Sequence, residues 1–177
     1  MTSVVLGIDP STSRLGLALV EFEPPHRALW AETVSINEPD GGWLDQQIRR
    51  ALRCAEVAGG FGDDVTRWAF DRDLTRIGIE RAINHRNAGN SYDAGGVYHL
   101  VLAECHRRWP WAVQVPRLPA QWKKDTAGRG NASKAEVMEW AMSYDAPGQV
   151  LHLLPQDSAD ALAIAVSAAM VELVDAA

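Results

Sequence analysis

The sequence predicts an α/β fold in which a mixed β-sheet is flanked by helices. Three segments rich in aliphatic and β-branched residues open the chain, and they indicate a meander of strands. Strand-like and helix-like segments then alternate. The chain has 177 residues, of which 47% are apolar, and this is typical of one globular domain spanning residues 1–177. We therefore expect helices layered on a single sheet.

Five strands are predicted from short apolar runs bounded by turn residues. The first three are "SVVLGIDP", "SRLGLALVEFE" and "RALWAETVSI". The tight turn "PSTS" favours a hairpin between the first two, and "PPH" separates the second from the third. "LTRIGIE" supplies the fourth strand, and "AVQVP" supplies a short fifth strand that Pro116 ends.

Four helices are predicted from apolar spacing. The first covers residues 43–58, where apolar residues recur every three or four positions. The others are "VYHLVLAECHRRW", then "SKAEVMEWAMSY" with a cap at Asn131 or Ser133, then "DSADALAIAVSAAMVELV" from Asp157 onward. Residues 84–96 and 117–131 read as a polar loop and a basic loop.

Several features predict a cytoplasmic protein without a membrane partner. No apolar run has the length of a membrane span, and the first residues lack the basic and apolar regions of a signal peptide. Cys54 and Cys105 lie far apart, with neither zinc-site nor disulfide spacing, which fits a reducing compartment.

Charge is distributed unevenly along the chain. The net charge is −6, yet residues 81–134 contain 9 Lys or Arg and only 3 Asp or Glu. Residues 135–177 contain 7 acidic residues and no Lys or Arg. A basic segment of this kind is either a set of solvated charges or a surface for a polyanion such as nucleic acid.

Acidic residues fall at the ends of predicted elements. Asp9 closes the first strand and Glu80 closes the fourth, while Asp157 and Asp160 share one face of the first turn of the last helix. If the first and fourth strands are neighbours, these four carboxylates meet at one edge of the sheet. Such a cluster repels itself unless cations bind, and Mg²⁺ prefers oxygen ligands of this type. A pair of such ions about 4 Å apart would clamp the attacking water and the leaving oxygen of a phosphodiester.

Three of the four carboxylates also have a purely structural explanation. Asp157 could cap the last helix, Asp9 before a proline could start a turn, and Glu80 could be a solvated strand end. Their joint occurrence at element ends favours the metal site.

Four segments together resemble one family. "GIDPSTSRLGLALV", "IGIE", the lysine-bearing loop "WKKDTAGRGNASKAEV" and "DSADALAIAV" are similar in order and separation to the RuvC family of Holliday-junction resolvases. The resemblance covers nearly the whole chain and implies an RNase H-like fold, with a five-stranded mixed sheet flanked by helices. It also implies an endonuclease that uses two Mg²⁺ ions, with Mn²⁺ able to substitute, to nick four-way junctions or related branched DNA symmetrically.

The resemblance assigns roles to individual residues. Asp9, Glu80, Asp157 and Asp160 match the family's metal-binding carboxylates, and Lys134 and Lys123 match its two functional lysines. Lys134 would act at the scissile phosphate and Lys123 would contact DNA. The basic segment adds candidates for DNA binding, which are Arg81, His85, Arg86, Lys124 and Arg129.

Two departures from the family pattern bear on specificity. Ser11 follows "DP" where the family usually has glycine, and Ile83 stands where the family has an aromatic residue linked to disturbing base stacking. An aliphatic wedge at Ile83 could serve the same purpose. These departures fit a divergent or virus-encoded member that acts on several branched structures.

Partners follow from the symmetry of the substrate. A four-way junction needs two matched cuts, so the family resemblance predicts a homodimer, with a branch-migration helicase as a further candidate partner. The helix around Tyr98, Leu102 and Trp109 is the candidate interface, with Gly95 and Gly96 allowing close approach.

Further function classes are compatible with the sequence alone. The first hairpin also resembles the phosphate-binding hairpin of the sugar-kinase and chaperone ATPase superfamily, although 177 residues leave no room for that class's second domain. A nucleic-acid-binding protein without catalysis would have the same basic segment. A nuclease that acts on RNA or on flaps would have the same carboxylates.

Overall fold

A computed structural model of the protein describes residues 2–11, 13–36, 49, 52–58, 60, 72–81, 88–144 and 155–172. Its centre is a five-stranded mixed sheet with the strand order β3-β2-β1-β4-β5. The strands are β1 (Thr2–Pro10), β2 (Arg14–Glu21), β3 (Ala28–Ser35), β4 (Arg72–Glu80) and β5 (Val113–Arg117). The predicted five-stranded mixed sheet is confirmed.

Strand pairing brings the two catalytic candidates of the sheet to the same edge. The first three strands pair antiparallel, as the predicted meander requires. β4 pairs parallel with β1, with Ile79 opposite Ile8, so Asp9 and Glu80 follow at the carboxyl ends of neighbouring strands. β5 pairs parallel with β4 at the end of the sheet, where Pro116 is tolerated because its missing N–H faces no further strand.

Four helices have defined bounds. They are α1 (Ala88–Arg108), α2 (Pro119–Ala127), α3 (Lys134–Ser143) and α4 (Gln156–Ala169). Residues 52–58 are also helical, in agreement with the first predicted helix. Ser133, one of the two predicted caps, caps α3 by accepting from the N–H of Glu136.

Two loop predictions were wrong. α1 begins nine residues before the predicted start at Val97, within the segment interpreted as a polar loop. α2 forms within the predicted basic loop, with Pro119 in its first turn and Gly128 ending it at a φ of 81°. Only Trp122 of α2 is buried, so the sequence offered no apolar repeat to mark this helix.

The two faces of the sheet are covered by different elements. Leu6, Ile8 and Leu17 pack in a cluster with α1 and with residues 54–58. Val5 and Ala18 point the other way and pack against α4. This alternation is the two-residue period of a strand, and it places the core in two layers.

Small residues let α4 lie directly on the sheet. A Cβ on Gly7 would stand 2.1 Å from the carbonyl oxygen of Ala161, and one on Gly16 would stand 2.0 Å from that of Asp157. A Cβ on Gly78 would stand 2.7 Å from the Cβ of Ala168. Three adjacent strands therefore present bare backbone to an alanine-rich helix.

The carboxyl end of α4 is fixed by a buried arginine. Arg76 of β4 donates from one guanidinium nitrogen to the carbonyls of Ala168, Ala169 and Val171, at 3.0, 3.2 and 2.6 Å. A cation suits this end of a helix dipole. The helix ends at Ala169, five residues short of its predicted end.

The interface residues proposed from sequence need a correction. Tyr98 and Trp109 are buried in the chain's own core, and Leu102 packs against the same cluster. Tyr98 and Trp109 therefore have little area to offer a second subunit, whereas Leu102 is partly exposed and Leu100 on the same helix is exposed. Among the described residues, no helix combines the length and the hydropathy that a membrane span needs.

Candidate active site

The site forms where β1 and β4 end and α4 begins. Asp9 lies near the end of β1 and stands opposite Gly16 in the hairpin, while Glu80 is the last residue of β4. Asp157 and Asp160 lie in the first turns of α4. All four carboxylate residues are partly buried.

Two local features hold the start of α4 over the sheet. The absence of a side chain at Gly16 allows the backbone of Asp157 to touch β2. The hydroxyls of Thr33 and Ser158 share a hydrogen bond of 2.6 Å, which ties the first turn of α4 to β3. The position of Asp157 is thus set by backbone packing as well as by helix geometry.

Ser11 closes the hairpin that carries Asp9. Its backbone N–H donates to the carbonyl of Arg14 at 3.0 Å, and its hydroxyl donates to the same carbonyl at 2.6 Å. The N–H of Arg14 donates back to the Ser11 hydroxyl at 2.9 Å. The serine that replaces the family glycine therefore builds the turn through its side chain.

The four carboxylates interact electrostatically. Burial raises the pKa of the Asp9 carboxyl well above its ordinary value, and the charges of Glu80 and Asp160 raise it further. Asp157 adds to this rise, and Lys134 opposes it. Asp9 therefore lies within electrostatic range of the other three carboxylates.

Glu80 and Asp160 each have one neutral hydrogen-bond donor. Burial raises the pKa of Glu80, and a hydrogen bond from the Trp122 indole N–H to Oε2 at 2.8 Å lowers it. Burial likewise raises the pKa of Asp160, against a hydrogen bond of 2.8 Å from the Gln156 amide to Oδ1. Both bonds fix a carboxylate without neutralising it.

Asp157 differs from the other three carboxylates. Its Oδ2 lies 3.5 Å from a guanidinium nitrogen of Arg14, whose side chain is 61% exposed. The same oxygen is buried and accepts no hydrogen bond from the described residues. The ion pair therefore leaves a lone pair of Asp157 unused inside the site.

The donor set suits a hard divalent cation. In the described part of the chain, no three Asp, Glu, His or Cys side chains already stand close enough together to coordinate one ion. The carboxylates nevertheless repel one another around Asp9, and Asp157 Oδ2 lacks a donor. Oxygen ligands, shared negative charge and an unused lone pair fit Mg²⁺ or Mn²⁺.

Both lysines lie within electrostatic reach of the carboxylates. Lys134 is the first residue of α3, and it lowers the pKa of Asp9, Glu80 and Asp160. Lys123 of α2 also lowers the pKa of Glu80 and Asp160. The sequence predicted only that Lys123 contacts DNA. The structure adds that its charge also acts on Glu80 and Asp160.

The other DNA-binding candidates are dispersed. Arg81 follows Glu80 and is exposed, as is Lys124 on α2. Arg129 forms an ion pair with Glu136, which reduces the charge that it offers to a phosphate. Ile83, His85 and Arg86 lie outside the described residues.

Sequence reasoning missed three side chains at the site. They are Arg14, Trp122 and Gln156. Gln156 precedes Asp160 by four residues on one helix, so its contact could have been found from spacing. Trp122 and Glu80 are 42 residues apart, and no local pattern joins them.

Comparisons with known proteins were made for sequence and for structure. No protein-family model matches the chain. It is 32% identical over 165 residues to the crossover junction endodeoxyribonuclease RuvC of Nocardia farcinica, covering 92% of this chain and 78% of that protein. Identity to the protein of the same name from Corynebacterium diphtheriae is 30% over 162 residues, covering 91% of this chain and 90% of that one.

Solved structures agree with these relatives. Thermus thermophilus RuvC has a TM-score of 0.62 at 27% identity, covering 93% of this chain and 92% of that chain. The T. thermophilus protein in complex with a Holliday junction substrate has a TM-score of 0.65 at 26% identity, covering 93% and 91%. The yeast mitochondrial resolvase Ydc2 shares the fold, with a TM-score of 0.61 at 12% identity.

Proposed function

Since the chain belongs to the RuvC family of crossover junction endodeoxyribonucleases, we propose that it is a metal-dependent endonuclease that resolves four-way DNA junctions, or related branched DNA, by paired symmetric nicks. The observation that carries this proposal is the group of four carboxylates around Asp9, with two lysines beside them. Phosphodiester hydrolysis with metal ions needs this combination of oxygen ligands and cationic side chains.

The carboxylates divide the work of holding two Mg²⁺ ions, for which Mn²⁺ can substitute. Asp9, whose pKa is raised by the other three carboxylates, would be the ligand shared between the two ions. Glu80 and Asp160 would each hold one side, and Asp157 would complete the set through the oxygen that lacks a donor among the described residues. When bound, such ions stabilise the charge that develops on the phosphate oxygens and make water a stronger nucleophile.

The lysines act on the substrate. Lys134 carries its charge toward Asp9, Glu80 and Asp160, so it can stabilise negative charge at the scissile phosphate. Lys123 stands beside Glu80 and can hold an adjacent phosphate. Arg81, Lys124 and Arg129 are further candidates for phosphate contacts. Ile83, His85 and Arg86, which lie outside the described residues, stay candidates for DNA contacts on the sequence alone.

The assembly follows from the symmetry of the substrate. A homodimer with two-fold symmetry would place one active site on each of two opposed strands. A branch-migration helicase is the candidate partner that would supply junctions. We further propose that residues 1–177 form one domain and that the protein acts in the cytoplasm.

A cleavage assay tests the proposed function. Labelled four-way junctions, flaps, Y-forks and linear duplex would be incubated with Mg²⁺ or Mn²⁺ and either the wild type or Asp9→Asn. Asp73→Asn is the matched control because Asp73 is exposed near the other end of β4. We expect symmetric cuts of the junction by the wild type and the control, and a loss of at least about 1,000-fold in Asp9→Asn, since a shared ligand of the catalytic metals is lost.

Two further outcomes would change the proposal. Cutting of every branched form, sensitive to Asp9→Asn, would retain the nuclease and remove strict junction specificity. Junction binding without cutting by the wild type would contradict the proposal and favour a non-catalytic DNA-binding protein.

A further inference from the structure

Trp122 is the unexpected neighbour of a candidate metal ligand. Its indole N–H donates to Oε2 of Glu80 at 2.8 Å, and the residue is only 2% exposed. Its place beside Lys123 in the sequence makes it a candidate for stacking on DNA, although a core position is the favoured interpretation. Its burial excludes stacking and confirms that Trp122 is a core residue.

The indole is held in place by three helices. Trp122 lies on α2, and it packs in one cluster with Val137 of α3 and with Ala163 and Ile164 of α4. The carbonyl of Trp122 accepts from the Thr126 hydroxyl at 2.8 Å. A side chain surrounded in this way has little rotational freedom, so the direction of its N–H is fixed by the fold.

The hydrogen bond limits what Glu80 can do. An indole N–H can only donate a hydrogen bond. It therefore binds the Glu80 carboxylate without itself acting as a metal ligand. A glutamate has three side-chain torsions, and each one left free lowers the population of the geometry that binds metal. Oε2 accepts from Trp122, whereas Oε1 accepts no hydrogen bond from the described residues and is available to a cation.

The same residue also lies next to a cation of the site. The ammonium of Lys123 is 5.4 Å from the centroid of the Trp122 ring, within the range of a cation–π contact. Lys123 in turn lowers the pKa of Glu80. One buried side chain on α2 thus contacts both a carboxylate and a lysine of the candidate active site.

We propose that Trp122 is a positioning residue that orients Glu80 for metal binding through its indole N–H. This inference rests on the proposed function, because it assumes that Glu80 is a ligand of the catalytic metal. Hydrogen-bond donors to metal-binding carboxylates commonly change metal affinity or activity by roughly 10- to 100-fold when removed. Trp122 would act through Glu80 and would not touch the DNA.

The hydrogen bond itself can be measured without any metal. Trp122→Phe would identify the Trp122 indole signal in a ¹H–¹⁵N spectrum of the metal-free protein, since the chain has 7 tryptophans. Glu80→Ala removes the acceptor, and we expect the Trp122 indole proton to move upfield in that variant while the other indole signals stay in place. An unchanged Trp122 signal in Glu80→Ala would overturn the proposal.

Metal binding tests the consequence of the hydrogen bond. Mn²⁺ affinity would be measured by electron paramagnetic resonance for the wild type, Trp122→Phe and Trp109→Phe. Trp109 is the matched control because it is also 2% exposed and packs on the other face of the sheet. We expect Mn²⁺ affinity to fall about 10-fold or more in Trp122→Phe and to stay within about 2-fold of wild type in Trp109→Phe.

Cleavage kinetics separate the two proposals. We expect Trp122→Phe to need more Mg²⁺ for half-maximal cleavage, with cleavage partly restored at high Mg²⁺, while junction affinity stays unchanged.

Equal losses of Mn²⁺ affinity in both Trp→Phe variants would assign Trp122 a merely structural role. If Glu80→Gln abolishes cleavage while Trp122→Phe changes neither Mn²⁺ affinity nor Mg²⁺ dependence, the positioning role fails and the proposed function stands. If Glu80→Gln cleaves normally, the proposed function itself fails at this residue.

Discussion

At the level of single residues, Asp9 combines a functional position with an unfavourable charge. Burial is the main reason that its pKa is raised, and three neighbouring carboxylates add to the effect. The negative charge that would bind metal therefore opposes folding whenever the metal is absent. A destabilising charge at one position is typical of residues kept for function.

The sign of this effect sets its pH dependence. The ordinary pKa of the Asp9 carboxyl is 3.8, and the folded-state pKa lies well above it. The stabilising contribution of protonated Asp9 is thus complete below pH 3.8 and is lost as the pH rises through the folded-state pKa.

Removing the charge should stabilise the metal-free protein. We expect Asp9→Asn, in the presence of a chelator at pH 7, to increase the free energy of unfolding by about 1 to 2 kcal/mol. The corresponding rise in Tm for a protein of this size is about 2 to 8 °C, measured by calorimetry. Excess Mg²⁺ should raise the Tm of the wild type more than that of Asp9→Asn, since binding to the folded state alone stabilises it. Equal Tm values for the two proteins in chelator would show that the carboxylates do not repel one another.

At the level of elements, α4 decides whether the site forms. Asp157 and Asp160 reach Asp9 only because α4 lies close to β1 and β2, and the glycines of the sheet permit that distance. The Thr33–Ser158 hydrogen bond then fixes the first turn of the helix. The arrangement of the candidate site thus depends on sheet positions that carry no side chain.

Adding one methyl group at Gly16 should push the start of α4, which carries Asp157 and Asp160, away from the strands that carry Asp9 and Glu80. A Cβ there would lie 2.0 Å from the carbonyl oxygen of Asp157, and backbone on both sides leaves no flexible group to yield. We expect Gly16→Ala to lower the free energy of unfolding by about 3 kcal/mol, as overpacking does, and to weaken Mn²⁺ binding. Urea denaturation and Mn²⁺ titration measure the two effects.

Gly60→Ala is the control for this substitution. Gly60 is helical, and a Cβ there would meet no atom within 4 Å, so we expect a change in stability of less than about 0.5 kcal/mol. Normal metal binding by Gly16→Ala would mean that α4 can shift without moving Asp157, contrary to the packing described above.

The strands were predictable from sequence because their signals are local. β1 to β5 are dense runs of aliphatic residues between turn residues, and their predicted bounds agree with the structure to within about two residues. The carboxylates were predictable for the same reason, since each closes or opens such an element. The neighbouring positions of β1 and β4 were only an assumption, and the parallel pairing of Ile8 with Ile79 confirms it.

The missed elements had weak or contrary local signals. α2 begins with proline, carries two lysines and buries one residue, so its sequence is that of a basic loop. Its helical form depends on Trp122 packing against α3 and α4, which is a tertiary effect. The early turns of α1 contain glycines and short polar residues, whose low helix propensity is overridden by context. The hydrogen bond from Trp122 to Glu80 could not be predicted either, because it depends on the same tertiary packing of Trp122.

At the level of the whole molecule, the basic segment contributes less free charge than its composition suggests. Arg107 and Arg108 both pair with Glu104, and Arg117 pairs with Asp125. The Glu104 carboxyl has a pKa lowered to about 2, first because Arg107 donates a hydrogen bond to it. These arginines stabilise the surface of the fold, whereas Lys123 and Lys134 direct their charge toward the carboxylates.

This division resolves the apparent conflict between a net charge of −6 and a polyanionic substrate. DNA binding depends on the few cations that face the phosphates, and the number of such contacts sets the slope of log affinity against log salt concentration. Acidic residues remote from those contacts would lower the net charge without weakening them. We expect junction affinity to fall steeply with salt even though the protein is acidic.

Two charge-removing variants test which cations face the DNA. Lys123→Ala should weaken junction binding uniformly across sequences and reduce the salt slope by about one, as the loss of one phosphate contact does. Arg107→Ala removes the same charge from a residue already paired with Glu104, so we expect its salt slope to match the wild type. Fluorescence anisotropy with a labelled junction, in Ca²⁺ to prevent cleavage and between about 50 and 200 mM salt, gives both slopes. A reduced slope in Arg107→Ala with an unchanged slope in Lys123→Ala would place the DNA path along α1 and not along α2.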